Sequence, residues 1–136
     1  MDVFKSDVLV TLQKGLDGSS ARQNTIANNI ANVNTPGYKK KEVSFENELR
    51  AALVKSDKVQ MSRTHPDHIL KYPTLLKVEP RVLRNEFQSM RMDRNNVDLD
   101  QEMTKMAANS LYYNSLISQL NKRISLLKHT ISEGRR

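Results

Sequence analysis

The sequence predicts an all-α fold in which two long terminal helices pack as a coiled-coil-like pair around an irregular central segment. Residues 1–38 and 98–136 each repeat apolar side chains in alternating steps of three and four, which is the seven-residue pattern of supercoiled helices. Three of the four prolines fall between these segments, in residues 39–97, and interrupt any regular periodicity there. A chain of 136 residues is short enough for one domain.

The first helix carries an apolar stripe, the N-terminal seam, with two polar residues, Ser19 and Gln23, in its middle. Gly15 and Gly18 flank the same middle, and glycine weakens a helix, so we expect a bend or fraying there. The seam residues are Leu9, Leu12, Leu16, Ile26, Ile30 and Val33.

The second helix carries a longer stripe, the C-terminal seam, which only Ser110 interrupts. It predicts a helix of about 50 Å, capped by Asp98 with Gln101 three residues later. Further leucines beside the stripe, at 111, 116 and 126, give more apolar surface than one partner helix covers, which indicates neighbours from other subunits. The seam residues are Leu99, Met103, Met106, Tyr113, Ile117, Leu120, Ile124, Leu127 and Ile131.

The first helix ends in an unusual cluster of asparagines followed by a turn. Pro36 lacks an N–H and disfavours helical geometry at Thr35, and Gly37 supplies the positive φ that a type II turn needs at its third position. Asparagine amides are tolerated in a helix when a neighbour bonds them, so we expect this region to pack against hydrogen-bonding groups. The asparagines are Asn24, Asn28, Asn29, Asn32 and Asn34.

The central segment predicts only small ordered pieces. Glu42–Val54 has the composition of a short helix. Val59–Arg63 and Leu75–Leu83 alternate and are rich in β-branched residues, which predicts two short strands arranged as a hairpin.

Composition narrows the function classes. The net charge of +7 is spread almost evenly along the chain, and aromatic residues make up only 5%, whereas nucleic-acid-binding proteins concentrate both on one surface. The chain has no cysteine and hence no disulfide or thiolate chemistry. Two alternatives stay open beside a structural protein: a small basic nucleic-acid-associated protein, and a helical export chaperone or adaptor.

Residues for catalysis or metal binding are sparse. His65 and His68 are separated by Pro66, which disfavours the helix that would direct both rings at one ion. The acids between Asp93 and Glu102 lack the glycine of a calcium loop and are better explained as helix-capping residues. We therefore expect no enzyme activity, no metal, no cofactor, no small-molecule substrate and no nucleic-acid partner.

Two segments resemble the axial proteins of the bacterial flagellum. The first is similar to the N-terminal signature shared by rod and hook proteins and consists of Asn29, Ile30, Ala31, Asn32, Asn34, Thr35, Pro36, Gly37 and Tyr38. The second, Asn96-Val97-Asp98-Leu99-Asp100 followed by Glu102-Met103, Met106-Ala107 and Asn109, resembles the C-terminal signature of the proximal rod family. The Thr64–Ile69 segment and the short length are similar to that family too.

This resemblance implies a structural subunit of the proximal rod of the basal body, which polymerises through its terminal helices into a hollow, torque-transmitting shaft. It implies partners in FlgC-like rod subunits, a FliE-like adaptor, the MS-ring and the flagellar type III export gate. Export would need no cleaved signal peptide and would lead to the periplasmic rod. Amides of Asn24, Asn28 and Asn32 would set the register between helices.

Phe45 and Leu49 resemble the short hydrophobic motif by which such substrates dock on the export gate. The alternative interpretation is that they are two core residues of a short helix.

Overall fold

The computed structural model describes residues 7–56, 78–86 and 92–133. Its elements in chain order are helix α1 (Asp7–Ala31), strand β1 (Lys41–Ser44), helix α2 (Glu46–Ser56), strand β2 (Arg81–Arg84) and helix α3 (Leu99–Glu133). The predicted all-α class with a small central hairpin is confirmed. Within the described residues, no helix is both long and apolar enough to span a bilayer.

Helices α1 and α3 form an antiparallel pair. Gly15 near the start of α1 lies against Leu116 in the middle of α3, and Asn29 near the end of α1 bonds Glu102 at the start of α3. With 35 residues, α3 is about 52 Å long. It starts where the sequence predicts, because Asp98 Oδ1 accepts the N–H groups of Asp100 and Gln101, at 3.0 and 3.2 Å, and so caps the first turn.

The central segment differs from the prediction in its boundaries. The helix predicted over Glu42–Val54 begins only at Glu46, because residues 41–44 form β1 and pair antiparallel with β2. The strand predicted over Leu75–Leu83 is observed at Arg81–Arg84, and its partner is β1. The strand predicted over Val59–Arg63 lies outside the described residues.

A small apolar core lies under the two-stranded sheet of β1 and β2 rather than between the two long helices. It consists of Phe45, Leu49, Ala52 and Val78. An ion pair between Arg22 of α1 and Glu46 holds the start of α2 against α1. The β1–β2 sheet and α2 therefore cover one side of α1.

Gly15 and Gly18 are buried in an uninterrupted helix, so the predicted fraying is wrong. Both positions lie where a neighbour approaches the helix closely. A Cβ at Gly18 would lie 2.5 Å from Cδ1 of Phe45, and a Cβ at Gly15 would lie 3.2 Å from Cδ1 of Leu116. The glycines are thus contact points for a ring and a leucine.

Candidate functional site: an asparagine junction and an open helical face

Asn29 joins four parts of the molecule through one fully buried side chain. Its Nδ2 donates to the carbonyl oxygen of Lys41 at 2.8 Å and to Oε2 of Glu102 at 2.9 Å. Its Oδ1 accepts the N–H of Lys41 at 2.9 Å and the hydroxyl of Tyr38 at 3.2 Å. Both donors and both acceptor sites of the amide are used. Asn29 therefore fixes α1, the turn, β1 and α3 relative to one another.

Glu102 is a buried carboxylate at the centre of this junction, with only 1% of its surface exposed. Besides Asn29 it accepts a hydrogen bond from Lys105 Nζ at 3.0 Å, and the same ammonium lies 3.6 Å from Glu42. A buried charge needs such partners to offset its desolvation. Burial, and then the charge of Glu102, raise the pKa of Tyr38 above 10.0, so the phenol stays protonated and donates to Asn29.

Asn95 bonds the backbone at the C-terminal end of the asparagine-rich segment. Its Nδ2 lies 2.9 Å from three backbone carbonyl oxygens, and its Oδ1 accepts the N–H of Val97 at 2.8 Å. The three carbonyls follow the end of α1, where helical partners run out. They belong to Asn32, Val33 and Thr35. The hydrogen-bonding neighbour expected for this region is thus supplied by the segment that precedes α3.

The predicted turn is confirmed at Gly37. Its φ is +72°, and the N–H of Tyr38 donates to the carbonyl oxygen of Thr35 at 3.3 Å across the turn. The N–H of Gly37 donates to the carbonyl oxygen of Asp93 at 2.8 Å. The turn is therefore held from outside as well as within.

The polar residues that interrupt the N-terminal seam, Ser19 and Gln23, bond Asn109 of α3, the residue next to Ser110. Oγ of Ser19 donates to Oδ1 of Asn109 at 3.0 Å, and Nδ2 of Asn109 donates to Oε1 of Gln23 at 2.9 Å. Ser110 lines the groove that opens beside this contact, together with Tyr113. The groove has a volume of about 310 Å³, and none of the described residues that line it is charged. This polar layer fixes the register of α1 against α3.

Within the described residues, the side chains of Asn24, Asn28 and Asn32 make no hydrogen bond to α3. Nδ2 of Asn28 donates to the carbonyl oxygen of Asn24, and Nδ2 of Asn32 donates to that of Asn28, both at 2.8 Å within the same helical face. The amides that set the register inside this chain belong instead to Asn29 and Asn109. The prediction that the amides of Asn24, Asn28 and Asn32 fix the register against neighbouring subunits stays a prediction.

The C-terminal seam is only partly covered by α1. The stripe of α3 that faces α1 contains Glu102, Asn109 and Leu116, spaced seven residues apart and offset from the predicted seam. Four predicted seam residues are half-buried: Met106, Ile117, Leu120 and Leu127. Five are exposed in the single chain: Leu99, Met103, Tyr113, Ile124 and Ile131. Leu111 and Leu126 are exposed as well.

The N-terminal seam is better covered. Ile26 is buried, and the other members are half-buried, the last of them two residues beyond the end of α1: Leu9, Leu12, Leu16, Ile30 and Val33. The pair of helices thus keeps an apolar stripe of α3 open beside a largely covered α1.

Phe45 and Leu49 are both buried in the small core, Phe45 against Gly18. In the folded chain they are core residues, as in the alternative to the export-gate motif. His65 and His68 lie outside the described residues. Within the described ranges, no three His, Cys, Asp or Glu side chains come close enough to hold a metal ion.

Comparison with known proteins identifies the family. The family model described as "Flagella basal body rod protein" matches residues 9–39. The chain is 32% identical to the flagellar basal body rod protein FlgB of Bacillus subtilis over 135 residues, which cover 99% of this chain and all of the relative. It is 34% identical to FlgB of Borreliella burgdorferi, with 72% and 76% of the two chains covered, and 30% identical to FlgB of Escherichia coli, with 90% and 91% covered.

These matches give no support to the nucleic-acid-associated and chaperone alternatives. They extend over both helical segments and the centre. The chain belongs to the FlgB family of flagellar basal body rod proteins.

Proposed function

We propose that this protein is a structural, non-enzymatic subunit of the proximal rod, which assembles through its terminal helices into a hollow torque-transmitting shaft. The observation that carries the mechanism is the exposed stripe of α3. Met103, Ile124 and Ile131 repeat at multiples of seven residues and are 57%, 52% and 70% exposed. An apolar heptad stripe of this length is stable in water only when another helix covers it.

The neighbouring subunit supplies that helix. A contact between the open stripe of one chain and a different surface of the next is heterologous, and such contacts propagate instead of closing. The polar layer of Ser19 and Asn109 resists sliding of α1 along α3 inside each subunit. Torque then passes through subunits whose internal register is fixed.

The partners follow from the family resemblance. We propose that the chain contacts FlgC-like rod subunits, a FliE-like adaptor and the MS-ring, and that it reaches the periplasmic rod through the type III export gate without a cleaved signal peptide. In this proposal residues 1–38 and 98–136 form the axial helical segments and residues 39–97 form the central segment of one structural domain.

Ile124→Asp tests the assembly stripe. Ile124 is half exposed in the single chain, so an aspartate there should change the free energy of unfolding little, while its charge would be buried at the subunit contact. We expect loss of motility and loss of the protein from purified basal bodies, with secretion retained. Ser118→Asp, on an exposed part of the same helix, is the matched control and should assemble. Motile cells carrying Ile124→Asp would disprove the role of the stripe.

A second experiment tests the export motif. Phe45 and Leu49 are buried in the folded chain, so the gate would have to bind a form in which α2 has left α1. Phe45→Ser should then reduce secretion of the chain, whereas Ala51→Ser on the exposed side of α2 should not. Equal secretion of both variants would leave Phe45 with its core role only.

A further inference from the structure

The two-stranded sheet has one anchored strand and one open strand. Both backbone groups of Lys41 in β1 are bonded to the side chain of Asn29, so β1 is attached to α1. Strand β2 lies on the outer side, and all four of its residues are exposed. The outer edge of the sheet is therefore the edge of β2.

The register shows which backbone groups point outwards from that edge. The N–H of Asn85 donates to the carbonyl oxygen of Lys40 at 2.9 Å, so these two residues face each other across the ladder. In an antiparallel pair, bonded and non-bonded positions alternate. Lys41 with Arg84, and Val43 with Val82, are then the non-bonded positions. The N–H and C=O groups of Val82 and Arg84 point away from β1, and within the described chain neither residue has a hydrogen-bond partner on that side.

The side chains of β2 also favour a partner. Val82 and Leu83 are 53% and 55% exposed, and an apolar pair of this kind on an unpaired edge is a template for a further strand. Because only Val82 and Arg84 direct their backbone groups outwards, antiparallel pairing of β2 with its own copy would bring Val82 opposite Arg84 and would give Arg84 no carboxylate as a partner. The positive charge of this edge thus favours a partner strand that supplies acidic residues.

We propose that the edge of β2 binds an extended segment of another protein as a third strand, with two aliphatic residues flanked by acids. The partner's backbone would bond the outward N–H and C=O groups of Val82 and Arg84. Its aliphatic side chains would cover Val82 and Leu83, and its carboxylates would pair with the two arginines. Glu48 already lies 3.8 Å from Arg81, while Arg84 has no salt bridge to any described residue, so Arg84 is the main charge contact.

The test uses the full-length protein and a capped peptide with a Glu-Val-Val-Glu core, with a Lys-Val-Val-Lys peptide as the control. Amide hydrogen exchange is followed by NMR. We expect the acidic peptide to slow amide exchange at Val82 and Arg84. The N–H of Asn85 already bonds Lys40, so its exchange should stay unchanged, which shows that β1 and β2 remain paired. Absence of binding, equal binding of both peptides, or protection elsewhere would overturn the proposal.

Two variants separate the backbone and the charge contributions. Val82→Pro removes a donor that points outwards and so leaves the β1–β2 bonds in place; it should weaken peptide binding about tenfold, and Val82→Thr should not. Arg84→Glu should reverse the preference towards the lysine peptide. This variant tests the proposal even if Val82→Pro disrupts the pairing of β1 with β2. An unchanged preference in Arg84→Glu would contradict it.

Discussion

The side-chain amide of Asn29 pairs with both backbone groups of Lys41, donating to its carbonyl oxygen at 2.8 Å and accepting its N–H at 2.9 Å. The amide thus takes the place of a neighbouring β-strand at the edge of β1 that faces α1. Because Nδ2 also bonds the buried carboxylate of Glu102, the same side chain sets the position of α3. The central segment and the axial helix pair are linked through one residue.

Asn29→Ala should lower the free energy of unfolding by about 3 kcal/mol, because it leaves several buried polar groups without partners. The matched control is Asn28→Ala. Asn28 is exposed, and among the described residues its side chain bonds only its own helix, so alanine there should be neutral or slightly stabilising. Urea unfolding of the two variants measures the difference. Equal stabilities would show that the junction contributes nothing.

Gly18→Ala should be more damaging than Gly15→Ala. A Cβ at Gly18 meets Cδ1, Cε1 and Cγ of Phe45 at 2.5 to 2.9 Å, so the whole ring must move, at a cost of about 1–3 kcal/mol. At Gly15 the tightest contact is one leucine methyl at 3.2 Å, and the gain in helix propensity of about 1 kcal/mol offsets it. Thermal unfolding compares them, and Gly18→Ala combined with Phe45→Leu should recover part of the loss. A less stable Gly15→Ala would reverse this reading of the contacts.

Gly37→Val tests the turn by backbone geometry alone. Apart from its two chain neighbours, no described residue has an atom within 4 Å of a Cβ built at Gly37, so the cost comes from its φ of +72°. Valine should cost about 1–2 kcal/mol and reduce recovery in basal bodies, and asparagine, which tolerates this region, should cost less. Unfolding free energy and motility are the measurements. Equal behaviour of the two variants would exclude strain as the reason for the glycine.

The environment of Glu42 predicts that the free energy of unfolding decreases in acid. Burial acts to raise the pKa of Glu42, but the hydrogen bond from Lys40 and the charges of Lys40 and Lys105 outweigh it, so the pKa lies below 4.5 in the folded chain. The unfolded chain takes up the proton first as the pH falls, and the stabilisation is lost as the pH drops through the folded pKa.

The comparison is Glu42→Gln. Between about pH 7 and about pH 3, its free energy of unfolding should fall less than that of the unsubstituted protein. Glu79→Gln, at an exposed carboxylate without a salt bridge in the described chain, should follow the unsubstituted protein. Parallel curves for all three proteins would show that the Glu42 pairs do not stabilise the fold.

Local signals in the sequence determined where the long helices lie and how they end. The heptad spacing places α1 and α3, Asp98 caps α3 through a hydrogen bond within three residues, and the φ of Gly37 sets the turn. These features depend on near neighbours in the chain, so the sequence alone is sufficient to predict them. The family motif is equally local.

Tertiary structure alone decided the strand at Lys41–Ser44 and the rotation of α3. Residues 41–44 have a helical composition, but pairing with β2 and with Asn29 fixes them as a strand through distant contacts. A heptad pattern shows which stripe is apolar and leaves the rotation against a given partner open. Here the buried Glu102 and Asn109 had to find partners on α1, and satisfying these polar groups turned the apolar stripe of α3 outwards.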